Sequence, residues 1–451
     1  GGRVYWVAQQ DPAASDANPG TQWQPWKTVS KAAATLQPGD VVVIRAGTYR
    51  ETVRPARGGT SATSRITYLG YPGETVVITG ADVQTGWVQE GHLWWVPYTQ
   101  SLPLGDPAAG YGHAPWIHAL RREQVIQDGR PLRHVMNKAD LVPGTFWVQG
   151  TDVAPTRIYV RTREDDNPNQ HLMEIGRRSV VFAPASGVQW LRVKNLIFRF
   201  ATDQYHQSTP AFSLGAANGL MEDSVVEWFN LRGITVNGSN HVWRRVVSQD
   251  NGQIGWAGSC TNCLIEDSKA FRNNWKMTAP GGEAGGTKFA FSTNVTLRRF
   301  ESAHNQDCGV WWDINNNGGM IEDSLIYDNL RCGILLELNS NNIVVRNNVV
   351  VGTRLWTDPW GGRLAGGIIV QGSSNNTIVH NTVYRNAGVA PFGGISLGYQ
   401  DSRTGTSGNR VYNNISVNNG GLEYTDPERT EGGHVDAAGT GTGGGEERTN
   451  D

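Results

Sequence analysis

Charge is scarce in this chain and neither sign dominates: Asp, Glu, Lys and Arg make up 18% of 451 residues, and the formal net charge is −2. No basic field is present to gather nucleic acid or an anionic membrane surface. Long apolar runs are missing too, none approaching the roughly 20 residues that a bilayer-spanning helix needs. The chain opens at Gly1-Gly2-Arg3 with no signal peptide. A mature secreted protein and a cytosolic one would both read this way, and the expectation is an extracellular or periplasmic protein. Cysteine is limited to Cys260, Cys263, Cys308 and Cys332. A lone C-x-x-C is weak evidence for a metal, so no metal ligand set is assigned. Cys308 and Cys332 are expected to stack on one another, as thiols or as a disulfide.

What is abundant is glycine, at 56 residues, together with asparagine and 17 tryptophans. Glycine and asparagine favour turns over helix interiors and argue against a helical protein. Residues 4–9 read as a strand, and Trp26, Val29, Ala32, Ala33 and Leu36 follow helical spacing until Pro38-Gly39-Asp40 stops the helix. Short apolar runs then follow quickly, at 41–45, 66–69 and 76–78. One helix followed by a ladder of short strands predicts a capped solenoid. From about 86 to 180 the rhythm breaks, with Trp94-Trp95-Val96, a hairpin-like Gln127-Asp128-Gly129-Arg130 and Arg157-Ile158-Tyr159-Val160, which reads as an inserted small β subdomain.

From about Val188 a period of 22 to 24 residues appears, as in Leu264-Ile265-Glu266-Asp267-Ser268 and Met320-Ile321-Glu322-Asp323-Ser324. It predicts an all-β, right-handed parallel β-helix: residues 1–85 as cap and first coils, 86–180 as the insertion, 181–419 as the main β-helix, and 420–451 as a Gly-rich acidic tail. In the same rungs Gly309-Val310-Trp311-Trp312-Asp313-Ile314-Asn315 is echoed by Gly333-Ile334-Leu335-Leu336-Glu337-Leu338-Asn339. Alternation turns Val310, Trp312, Ile334 and Leu336 inward, and Trp311, Asp313, Leu335 and Glu337 outward. The two acids, 24 positions apart, fall on neighbouring rungs about 4.8 Å from one another.

Two like charges at that distance repel, and one has its pKa raised. A structural protein gains little from such a pair, whereas a glycosidase uses one carboxylate as nucleophile and the other as acid/base. Lys288, one rung earlier, is expected on the same face within reach of Asp313. Outward Trp311 is suited to stacking on a sugar ring. Asn237 and Gln371 extend the polar stripe, and Arg354, Trp356, Trp360 and Arg363 in the loop before Gln371 read as cleft walls. Asp307 and His304, also near, are weaker candidates and more often turn residues.

The N-terminal Tyr5-Trp6-Val7, Pro25-Trp26-Lys27-Thr28 and Arg45-Ala46-Gly47-Thr48-Tyr49, with the run from Lys288 through Trp311-Trp312-Asp313 to Glu337, resemble bacterial β-helix proteins active on polysaccharides. The nearest resemblance is to the β-xylosidases of glycoside hydrolase family 120. It implies Asp313 as nucleophile and Glu337 as acid/base, an oligo- or polysaccharide as partner, and no cofactor. After Glu337 this chain continues Leu338-Asn339-Ser340-Asn341, where that family has Val-Asn-His-Gly. Two other readings stand beside the hydrolase: a polysaccharide lyase with Lys288 as base and a Ca²⁺ held by carboxylates, and a carbohydrate-binding β-helix without chemistry.

Overall fold

The computed structural model describes residues 1–100, 123–151, 153–278, 280–357, 363–389, 392–399, 404–421, 424–425 and 435–436. The fold is the right-handed parallel β-helix expected, with one short α-helix among the described residues and smaller β-sheets. The chain divides into two compact units, one of residues 1–213, 225–233 and 276–278, the other of residues 214–224, 234–275 and 279–451. Apart from residues 420–421, 424–425 and 435–436, the acidic tail lies outside the described residues.

In the first unit, Val4–Val7 pairs in parallel with Val41–Ile44, and that strand with Ile66–Gly70. The helix Val29–Thr35 starts where the Thr28 hydroxyl accepts the Lys31 N–H at 3.1 Å, satisfying a donor that the first helical turn leaves open. It buries Val29, Ala32 and Ala33, while Trp26 and Leu36 just outside it are also buried. The insertion forms a four-stranded and a five-stranded sheet from strands between Ala81 and Gly176. They close over Trp87, Val96, Phe146, Ile158, Val160 and Ile175. Its hairpin turns at Asp128 (φ 50°) and Gly129 (φ 83°), the left-handed pair that matches strand twist.

The second unit is a stack of coils, each contributing a strand to three parallel ladders. The ladder that carries the acids runs Ile254–Thr261, Gly285–Phe289, Val310–Asp313, Cys332–Glu337 and Gly366–Gln371. Inside, asparagines stack from coil to coil: Asn273 donates to Asn305 at 3.0 Å, and Asn305 to Asn329 at 2.9 Å. Each amide satisfies buried polar groups above and below it, which would otherwise cost on the order of 1–3 kcal/mol apiece.

One corner carries a stack of charged pairs whose sign alternates with every coil: Glu222-Asp223, Arg244-Arg245, Glu266-Asp267, Arg298-Arg299, Glu322-Asp323, then Arg346. Arg244 meets Glu266 at 2.7 Å, Arg298 meets Glu322 at 2.6 Å, and Arg346 meets Glu322 at 2.7 Å. In the outer row Arg245 meets Asp223 at 2.6 Å and Arg299 meets Asp267 at 2.7 Å. Asp223, Arg245, Asp267, Arg299 and Asp323 all take left-handed φ of 45–54°. That conformation is uncommon outside glycine. It turns the chain at the corner while the backbone N–H still bonds to the next coil, as from Asp267 to Arg298 at 3.1 Å.

Candidate active site

Asp313 and Glu337 are register partners on adjacent parallel strands, and Gln371 is the partner of Glu337 one coil further on. Val310, Trp312, Ile334 and Leu336 are buried, as alternation requires. Outward Trp311 and Leu335, however, are each only 1% exposed. They pack with Cys308, Cys332, Ile369, Phe392 and Leu364 in a second apolar layer on the outer face of the sheet. The expectation of an open Trp311 stacking on sugar is therefore corrected. Three apolar residues in succession at 310–312, 334–336 and 368–370 mark strands buried on both faces, and that signal was available in the sequence.

Lys288 reaches the acids as expected: its Nζ lies 3.1 Å from Asp313 Oδ2 and donates to the Gly282 carbonyl at 2.5 Å. Asp313 is buried, and its Oδ1 has no hydrogen-bond partner among the described residues. Glu337 Oε2 accepts the Trp311 indole N–H at 2.9 Å. Burial pushes the Glu337 pKa up and the charge of Asp313 adds to the rise, while Arg331, the indole N–H and Lys288 oppose it. The pair thus divides into one carboxylate bonded to an ammonium and one whose pKa is raised.

The strand pattern does not single out Arg331, and Asp307 reads from the sequence as a weaker candidate, more often a turn residue. Their ion pair is buried, with Arg331 Nε 2.7 Å from Asp307 Oδ1. Asp307 also accepts the N–H groups of Gly281 at 2.7 Å and Cys308 at 2.8 Å. Arg331 follows Asp307 by 24 residues, the interval that separates Asp313 from Glu337. Applying the period to the positions beside the cysteines would have found it. Both cysteine pairs are disulfides, Cys260–Cys263 and Cys308–Cys332.

The remaining expected residues lie further from the two acids in the sequence of coils or in the loops beside them. Asn237 lies in the strand Arg232–Ser239 with its Oδ1 buried and unpartnered among the described residues. Trp356 is half-buried in a two-stranded hairpin with Arg363–Leu364. Arg354 is not a free cleft wall: it lies 2.9 Å from Asp328 and donates to Gln306 at 3.1 Å, tying down a turn. Trp360 and the Arg363 side chain lie outside the described residues. His304 pairs with Asp328 at 2.6 Å. Among the described residues, two sets of side chains have ligand atoms close enough to hold a cation, Glu164/Asp166/His171 and Asp307/Cys308/Cys332. Neither includes Asp313 or Glu337, and the second has its sulfurs joined and its carboxylate on Arg331.

Fold and site define the class: a right-handed parallel β-helix bearing a partly buried cluster of charged residues on one sheet. Residues 210–429, somewhat under half of the chain, match the family described as "Periplasmic copper-binding protein (NosD)". The "Uncharacterized protein YwoF" of Bacillus subtilis (strain 168) is 40% identical over 72 residues, 16% of this chain and 15% of that protein's length. Among solved structures, "The complex structure of XylC with xylose" is similar at a TM-score of 0.64 and 16% identity, covering 96% of this chain and 86% of that one. One described as "Glycoside hydrolase" gives 0.59 at 14% identity, covering 92% and 96%. At these identities the likeness is one of fold.

Proposed function

We propose that the chain is a glycoside hydrolase acting on an oligo- or polysaccharide by a retaining mechanism. Asp313 attacks the anomeric carbon while Glu337 protonates the departing oxygen, and Glu337 then takes a proton from the water that releases the sugar. The observation that carries this reading is the register pairing of Asp313 with Glu337, in which Lys288 holds the first and burial raises the pKa of the second. Neighbouring strands about 4.8 Å apart suit the roughly 5–5.5 Å between carboxyl groups in retaining enzymes. Once Asp313 is esterified its charge is gone, and with it one cause of the raised Glu337 pKa. Glu337 then becomes the base that the second step needs.

Two structural neighbours support a saccharide as substrate, one being a complex with xylose and the other described as a glycoside hydrolase. A lyase would need Lys288 as a free base, but its ammonium is engaged by Asp313 and Gly282. Copper binding, named for the family matched over 210–429, finds no thiolate in the two disulfides. Those disulfides fit an oxidising, extracellular or periplasmic setting. The reading is tested by screening 4-nitrophenyl glycosides and plant, algal and microbial polysaccharides, with Asp313→Asn as control. Product followed by proton NMR should keep the anomeric configuration of the substrate. Inversion overturns the assigned roles, and an ultraviolet-absorbing unsaturated product indicates elimination.

A further inference from the structure

Trp311 is approached by two cations, one from each neighbouring coil. Lys288 Nζ lies 4.0 Å and Arg331 Cζ 4.5 Å from the ring centre. The first comes from the strand that precedes Val310–Asp313 in the ladder, the second from the residue before the strand that follows it. The indole N–H points to Glu337 Oε2 at 2.9 Å. Arg331 is in turn held by buried Asp307, which the Gly281 and Cys308 N–H groups fix. We propose that Trp311 is a positioning residue that acts through Glu337. Its N–H claims Oε2 as the acceptor oxygen, leaving Oε1 to carry the proton to the leaving group and to take one back from water. The assignment rests on the hydrolase reading.

Physical chemistry gives this arrangement a direction. Cations on an aromatic face are attracted by its negative quadrupole, and the π-electron density they draw strengthens the indole N–H as a donor, as donors polarised within a network generally are. A donor to a carboxylate favours the ionised form. Trp311 therefore limits how far burial and Asp313 raise Glu337 in the first step, and stabilises its ionised form in the second. Because the ring is buried within an apolar layer, it keeps this alignment without touching the sugar.

The test uses the 4-nitrophenyl glycoside turned over in the screen, with purified Trp311→Phe. Losing the N–H should move the alkaline limb of the kcat/KM profile upward by about one pH unit. Release of the sugar should slow by about tenfold, so that a burst of 4-nitrophenol precedes the steady state. A folded Trp311→Phe variant with the wild-type limb and no burst, while Glu337→Gln is inactive, sinks the positioning role and leaves the hydrolase reading intact. Activity retained by Glu337→Gln sinks both. Should Trp311→Phe not fold, indole ¹⁵N–¹H spectra of the wild-type chain decide: one tryptophan resonance should titrate with the midpoint of the activity limb and cease to do so in Glu337→Gln. The absence of any such resonance overturns the proposal.

Discussion

Asp313 and Glu337 are the same functional group placed in different company, and their company separates them. Asp313 has an ammonium 3.1 Å away, and under the proposed hydrolysis, with Asp313 as nucleophile, Asp313→Asn is expected to lower kcat by roughly a thousandfold or more. In the proposed reaction Glu337 starts protonated, so activity should fall as pH rises through its elevated pKa. A second buried acid, Asp203, governs stability instead of chemistry. Its carboxylate accepts from Leu231 N–H at 2.9 Å and Arg232 N–H at 2.8 Å, yet burial raises its pKa from 3.8 to about 6. The folded state therefore holds this proton more tightly than the unfolded chain does. The associated stability is complete below pH 3.8 and is lost as pH rises through about 6. That loss amounts to about 3 kcal/mol. Urea unfolding at pH 4 and pH 7 should show the dependence shrinking by about that amount in Asp203→Asn.

From Glu222 to Arg346 each coil faces the opposite charge on its neighbour at the corner. Arg298 lies between Glu266 and Glu322, and Arg298→Glu would set three carboxylates in a column. The expected destabilisation is about 3 kcal/mol in low salt, smaller at high ionic strength, and measurable by denaturant unfolding. Arg298→Ala should cost less, because it removes attraction without adding repulsion. The coils themselves were legible in the sequence, because the Glu-Asp-Ser repeats and the glycine before each site strand fix the register. That register then brought Lys288, Asp313 and Glu337 together. The cover over Trp311 and Leu335 was missed because strict alternation assumed one wet face, and Leu364 and Phe392 arrive from other coils at no fixed interval. The partner of Arg354 is hidden for a similar reason. A loop arginine reads as free until a carboxylate such as Asp328, on another coil, is placed beside it.

Across the whole molecule, two disulfides stand in a chain whose cores are otherwise apolar and amide-lined. Cys308–Cys332 closes a loop of one coil, 24 residues in sequence separation, and restricts the unfolded chain by about 3 kcal/mol. Reductant, or Ser at both positions, should lower the melting temperature by several degrees. The loss of activity should track unfolding, since neither sulfur belongs to the reacting groups. The corner ladder sets a rule of parity on the same molecule. Because charge alternates from one coil to the next, the smallest repeating unit is two coils, as in an antiferromagnet. Excising the coil of Arg298-Arg299 alone would seat Glu322-Asp323 on Glu266-Asp267, whereas excising two coils restores the alternation. Within this stretch, gaining or losing coils in even steps keeps opposite charges facing one another.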